Sequence, residues 1–288
     1  MSRLKYSAVP GYFTSFGDEN VLSHRGDEGQ HLGFVDGCSG WEDIQRLLDE
    51  DSSLKLLVLA RHGQGHHNAL ESKYGTQEWE RYWALQPGVH EVTLVDAQLT
   101  ELGKQQVRST GKELLLPMVE KIGFPEKFYS SPLRRCLETY MESWGQVFTS
   151  ELVSSSTEVS VYVKEQCRET LGRHYCDKRL PHDHVVEQYG EETLLGNTKV
   201  HWVYEPGMAN EDTMWSETHR ETVEEIDYRI GGALQELLSG EERYISLTCH
   251  SGVIQSALRV LKHPEILQLQ TGGVVFVLCK PAETEAKV

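Results

Sequence analysis

Leu56 to Asn68 reads LLVLARHGQGHHN. The run before the arginine, KLLVLA (Lys55 to Ala60), shows no alternation of polar and apolar positions. As a strand it therefore has no face to offer water and must be covered on both sides. That demand restricts the fold more than any other feature of the chain. It excludes a sandwich with one wet face and points to a sheet with helices above and below it.

The rest of the chain supplies those helices. LTELGKQQVRSTGKELLLPMVEKIG has Thr100 as an N-cap, and Leu102, Leu114, Leu115 and Met118 fit a buried stripe. Pro117 and Gly123 are read as its end. EKFYSS is a second strand, and PLRRCLETYMESWGQVF is a helix with Pro132 at its first position, where a missing N–H costs nothing. VSVYVKEQC alternates like a strand. THRETVEEIDYRIGGALQELLSG opens with a capping box, Thr218-x-x-Glu221, followed by Val223, Ile226, Ile230, Leu234, Leu237 and Leu238 at helical spacing. RYISLTC, SGVIQSALRVL and GGVVFVLCK read as strand, helix and strand. Alternating strands and helices imply an α/β fold with three layers, α/β/α, around a mostly parallel central sheet.

Residues 1–288 are read as a single domain. Residues 1–50 form an N-terminal extension packed on it, with WEDIQRLLDED a short helix and GDEGQHLGFVDGCSG a loop. Residues 172–217, rich in His, Asp, Glu and Gly, carry little periodicity and read as an irregular insertion or lid.

In sheets of this kind a site forms beyond the carboxyl ends of the strands. Arg61-His62-Gly63 ends one strand, SSPLRR follows another, CRE a third and CHSG a fourth. If those ends converge, they bring together two imidazoles, at least two guanidiniums and a carboxylate. Such a set suits phosphoryl transfer. Arginine's planar fork matches phosphate oxygens and stays charged. A neutral imidazole can attack phosphorus. A second, protonated imidazole and the N–H groups of the helix after Ser251 can stabilise the charge on the oxygens. A carboxyl group can protonate the leaving oxygen and later activate water.

A formal net charge of -16 argues against a broad phosphate-backbone interface, so no nucleic acid partner is expected. No segment approaches the roughly 18 apolar residues of a membrane span, and the start has no apolar core of secretory length. Six scattered cysteines without a CxxC pair read as reduced thiols. Together these point to a cytoplasmic protein, a nuclear fraction being left open.

RHGQGHHN, DAQLTELG, SSPLRRCLET, RETLG and CHSGVI, in this order, resemble the histidine phosphatase superfamily, also called phosphoglycerate-mutase-like, over roughly residues 54–279. The long RHGQGHHN form and CRETLGRHYCDKR are most similar to phosphoglycerate-mutase-like proteins of fungi and plants, the fungal phosphomutases first among them. The resemblance implies His62 as the nucleophile that becomes phosphohistidine. It implies Arg61 and Arg135, not Arg134, as phosphoryl ligands, His250 as the second pocket histidine and Glu169 as the general acid. Asn68 would line the phosphate site, Ser251 would touch substrate, and Ser130 or Ser131 would shape the turn. The acid-phosphatase branch carries His-Asp where this chain has His250-Ser251, which moves the acid role to Glu169. RHGQGHHN in place of RHGES leaves the glycolytic substrate open.

The expected activity is hydrolysis of small phosphorylated metabolites through a phosphohistidine, without metal or cofactor. A phosphomutase using the same intermediate and an inactive binding module of the same fold are the alternatives. A metal site is disfavoured. His62 and His66 have ligand spacing and His182-x-His184 adds a pair, but Gly63 and Gly65 make a poor helix and no HExxH is present. His66 and His67 are read as pocket-rim residues, and Gly63 and Gly65 as clearance beside the phosphate. Arg173, Lys178 and Arg179 are read as a solvated face rather than substrate contacts.

Overall fold

The computed structural model describes residues 4–14, 33–264, 266 and 269–282. Its strands in chain order are β1 (Tyr6–Ala8), β2 (Lys55–Arg61), β3 (Gly88–Val89), β4 (Val92–Thr93), β5 (Lys127–Ser130), β6 (Thr157–Val163), β7 (Glu192–Leu195), β8 (Thr198–Tyr204), β9 (Tyr244–Cys249) and β10 (Val274–Pro281). β3 and β4 form a small ribbon. The others build one sheet in the order β1-β10-β2-β9-β5-β6-β8-β7. The ladders joining β2, β9, β5, β6 and β8 are all parallel, and the edge pairs β1/β10, β10/β2 and β7/β8 are antiparallel.

The α/β architecture with a mostly parallel central sheet is therefore as expected. Leu56, Leu57, Val58 and Leu59 are all fully buried, so both faces of β2 are covered. Burial of each such side chain stabilises by about 1.5–3 kcal/mol. Helices Val223–Leu238 and Ser251–Val260 pack on each other in one flanking group. Helix Arg134–Phe148 packs against Glu101–Thr110, and Trp41–Glu50 against Leu116–Ile122, in another.

Several local expectations need correction. Pro132 does not open its helix. The helix starts at Arg134 with Leu133 as N-cap, and Pro132 belongs to the turn after β5. Pro117 does not end the preceding helix, which runs on through a π turn, Gly111–Leu115, into Leu116–Ile122. Pro117 sits in the first turn of that last piece, where its missing N–H is tolerated. Gly123 is the stop, at φ 77. Leu102 is exposed, and Val107, Leu115 and Met118 carry the buried face. The capping box falls one turn later than read, on Thr222 and Glu225. Glu221 is unavailable for it because its carboxylate binds Arg229 and the Leu171 N–H.

Residues 172–217 hold more order than their composition suggests: the helix His182–Tyr189 and the hairpin β7–β8, with β8 parallel to β6 in the main sheet. Of the N-terminal residues, β1 extends the sheet beside β10, and Phe13, Phe34 and Trp41 pack with Phe276. The loop read over GDEGQHLGFVDGCSG falls partly outside the described residues. All six cysteines are unpaired and five are buried. No helix of the described residues is long and apolar enough to cross a membrane.

Candidate active site

Parallel register brings four strand ends to one edge of the sheet. Arg61 lies opposite Cys249, Thr248 opposite Ser130, and Ser130 opposite Val163. The ladder continues one residue further, with His62 N–H donating to Cys249 O (3.0 Å) and Ser131 N–H to Thr248 O (3.0 Å). His62, His250 and Ser131 thus leave the sheet side by side. Arg135 enters from the helix after β5, and Glu169 from the turn after β6.

His62 is buried, and its Nδ1 lies 2.7 Å from its neighbour's carbonyl, Gly63 O. A carbonyl can only accept, so Nδ1 carries the proton and a neutral ring keeps its lone pair on Nε2. The neutral form is strongly favoured. Burial first, then the Arg135 and Arg61 guanidiniums, hold the imidazole well below its ordinary range.

The His250 ring stands 5.1 Å from that of His62, inclined at 63°. Its Nε2 is 2.8 Å from Ser131 Oγ and 3.4 Å from Cys136 Sγ. Ser131 therefore orients an imidazole as well as shaping the turn. The surroundings of His250 oppose the protonation that a charged second imidazole requires. Burial, with Arg135 and the neighbouring imidazoles, pushes His250 well down too.

Arg135 is fully buried. Its Nη2 donates to Asp177 Oδ1 (2.9 Å) and its Nη1 to Cys176 O (2.7 Å). The other oxygen of Asp177 accepts from Arg220 Nη1 at 2.8 Å. One carboxylate thus clamps two guanidiniums. Burial works against its ionisation, but Arg220 and Arg135 outweigh it and hold the Asp177 carboxyl at about 2. Arg61 donates from Nη1 to Leu269 O. The Nε atoms of Arg61 and Arg135 are buried without a hydrogen-bond partner. Arg134, by contrast, is engaged by Asp96 O and Gln188.

Glu169 interacts electrostatically with both Arg61 and Arg135. Its carboxylate accepts from Thr170 N–H (2.9 Å), Gly252 N–H (3.2 Å) and, at the 3.5 Å limit, Ser251 Oγ. The start of the helix Ser251–Val260 is therefore partly occupied by Glu169. Asn68 lies in the first turn of the helix His66–Tyr74, where its Oδ1 accepts from Gly65 N–H (2.9 Å) as a cap. His66 is partly exposed, whereas His67 is buried and not a rim residue.

The glycine after His62 answers to packing. A Cβ on Gly63 would strike the carbonyl of Gly103, and one on Gly103 would strike the backbone of Gln64. The two loops touch main chain to main chain, which corrects the reading of Gly63 as clearance for a phosphate. Gly103→Ala should cost about 1–3 kcal/mol by overpacking and displace the loop that carries His62. A fall in thermal midpoint and in turnover is expected. Gly232→Ala, where a Cβ meets open space, should show neither.

Sequence reasoning missed Asp177 and Arg220. Both lie in or beside the stretch read as insertion, where one aspartate among many charges gave no signal. Arg179 belongs to no solvated face: it is buried and donates to Leu180, Ala209, Asn210 and Glu211 carbonyls. Lys178 lies over the Trp215 ring, and Arg173 is exposed. His62 and His66 share no helix, and His182 packs on Tyr204 while His184 is exposed. Among the described residues one cluster has metal-ligand spacing, His174, Cys176 and Asp177. The two guanidiniums on Asp177 oppose a cation there.

Two neutral imidazoles and two guanidiniums at the carboxyl edge of a parallel sheet define the class of protein. The family described as Histidine phosphatase superfamily (branch 1) matches residues 57–274, and the chain belongs to that superfamily. It is 45% identical over 280 residues to "Probable phosphoglycerate mutase PMU1" of Saccharomyces cerevisiae, spanning 94% of both chains. It is 32% identical over 276 residues to "Phosphomutase-like protein 3" of Candida albicans, spanning 95% of this chain and 79% of that one. Against "Phosphoglycerate mutase-like protein 1" of Arabidopsis thaliana the identity is 28% over 236 residues, 74% of each chain. The fungal and plant resemblance read from the motifs is borne out.

Proposed function

We propose that the chain is a phosphomonoesterase that works through a phosphohistidine at His62 on small phosphorylated metabolites. The observation that carries this reading is a neutral His62 with Nδ1 fixed to Gly63 O, flanked by Arg61 and Arg135 whose buried Nε groups have no partner. An anion with several acceptor oxygens satisfies such donors. His62 Nε2 attacks phosphorus, the ester P–O bond breaks, and Glu169 gives its proton to the leaving oxygen. Water then attacks the phosphohistidine as Glu169 takes a proton from it, and the P–N bond breaks to restore His62. Arg61, Arg135 and His250 bear the charge on the phosphoryl oxygens. Ser251, which reaches Glu169, is read as touching substrate, and Asn68, whose Oδ1 caps Gly65 N–H, as lining the phosphate site through its amide. The segment 172–217 acts as a wall of the site through Asp177. Unpaired, mostly buried thiols suit a cytoplasmic setting.

A mutase is the second reading, because the three relatives named above all carry mutase names. It would return the phosphoryl group to another hydroxyl of the same molecule. A screen of phosphorylated metabolites for released phosphate and for isomerised product separates the two. Glu169→Gln provides a further test. Esters of alkyl alcohols, which need a proton on leaving, should slow by about 10²–10⁴-fold, and activated aryl esters far less. Equal losses on both would remove Glu169 from the acid role.

A further inference from the structure

Five residues after His62 the chain returns another ring to the pocket. His67 is the second residue of the helix His66–Tyr74. Its ring centroid is 5.5 Å from that of His62, which in turn is 5.1 Å from His250. His62 thus has two further imidazoles within 5.5 Å of its ring. His67 is only 7% exposed, and its Nδ1 is buried with no hydrogen-bond partner. The backbone is shaped to keep it there. A Cβ at residue 65 would come within 2.6 Å of that same Nδ1 and of Cε1, so glycine is what lets the ring lie back over the loop.

A buried polar nitrogen without a partner costs about 1–3 kcal/mol. Such an atom calls for an explanation, and beside a charged pocket a bound ligand is one. The charged groups that act on His67 are mostly those around His62: Arg135, Arg61 and, with opposite sign, Asp177. A ligand drawn to this corner is an anion, and an anionic oxygen can only accept. The useful tautomer of His67 is therefore the one protonated at Nδ1.

We propose that His67 is a third phosphate-binding imidazole, donating from Nδ1 to an oxygen of the phosphoryl group held at His62. The inference rests on the reading of His62 as the phosphoryl acceptor. It adds a donor beyond Arg61, Arg135 and His250. The bond would serve the entering ester, the phosphohistidine and the released phosphate alike, because all three keep acceptor oxygens beside His62.

Three substitutions and two probes test it. His67→Leu fills the space without a donor. His67→Asn carries an amide near the position of Nδ1, and His67→Gln carries one nearer Nε2. The probes are inorganic phosphate and orthovanadate, measured as competitive inhibitors of aryl phosphate hydrolysis and by titration calorimetry. His67→Leu should bind both about 10–100-fold more weakly, as expected for losing one hydrogen bond to a charged group, with a thermal midpoint in the absence of either probe equal to or above that of wild type, because the unpaired nitrogen is gone. His67→Asn should recover most of the affinity and His67→Gln should not. Leucine binding as well as wild type, or asparagine and glutamine losing equally, would overturn the proposal. If the leucine variant does not fold, the comparison of asparagine with glutamine decides. Should wild type bind neither probe and release no phosphate, the reading of His62 fails first. Should wild type do both while His67→Leu matches it, this inference alone fails.

Discussion

His62→Ala should lower phosphate release from an aryl phosphate on the order of 10³-fold or more, because no other side chain can take over the covalent step. The pocket is built around this one nitrogen. Gly63 O fixes the proton on Nδ1, which leaves Nε2 free. Burial, reinforced by Arg135 and Arg61, keeps the ring neutral and so able to attack. The loss should fall mainly on kcat, since both guanidiniums remain to bind substrate. The variant should stay folded, with an unfolding midpoint close to or above that of wild type, because a buried imidazole set between two guanidiniums is placed for reactivity rather than for stability. Activity retained in His62→Ala would remove the covalent mechanism while leaving the fold untouched.

The second large effect is expected outside the reacting atoms, at Asp177→Asn. This carboxylate is 3% exposed and lies between Arg135 and Arg220. Breaking a buried ion pair by removing one partner typically costs about 3–5 kcal/mol, since the charges left behind are uncompensated. The amide keeps one acceptor, so either Arg135 or Arg220 would face an NH2 donor in place of an oxygen, and turnover should fall with stability. The dependence on pH separates Asp177 from a general packing defect. Its carboxyl is held at about 2 in the folded chain against 3.8 for an ordinary aspartate. A depressed carboxyl adds stability in full above the ordinary value and loses it as pH falls towards the folded one. The difference corresponds to about 2 kcal/mol. Wild type should therefore shed that amount between about pH 4 and pH 2, and Asp177→Asn should lack this part of its acid denaturation. Equal acid limbs in urea titrations of both proteins would show that Asp177 does not hold the guanidiniums as described.

Much of this was written in the sequence, for identifiable reasons. An apolar run with no polar alternation, KLLVLA, requires cover on both faces, and β2 has it. Thr100 signalled its helix because a hydroxyl there can accept from the local N–H of Gly103, and it does so at 3.0 Å. Strand ends are legible as sites because parallel register is nearly obligatory between consecutive strand–helix units. What failed were features decided at a distance. Thr218 and Thr222 both begin a T-x-x-E pattern, and the choice between them was made by Arg229, which claims Glu221. Residues 198–204 do alternate, with Thr198, Val200 and Trp202 buried and Lys199 and His201 half-buried between them, but seven residues of that pattern were lost in the charged stretch around them. Asp177 was invisible because its importance lies in two arginines, one 42 residues before it and the other 43 after it in the chain. His67 was misread because the spacing of a histidine says nothing about which way a glycine two residues earlier lets it turn.

The central claim is that phosphorus is carried on His62. The direct measurement is to mix the protein with a ³²P-labelled phosphoester, quench in alkali within one turnover, and map the label by peptide digestion. A phosphoramidate survives alkali and is lost in acid, unlike a phosphoserine ester or an acyl phosphate. The account predicts an alkali-stable, acid-labile label on the peptide that contains His62, and none on His62→Ala. A label stable to acid, or one mapped to any other residue, would contradict it. So would phosphate release by His62→Ala at the wild-type rate.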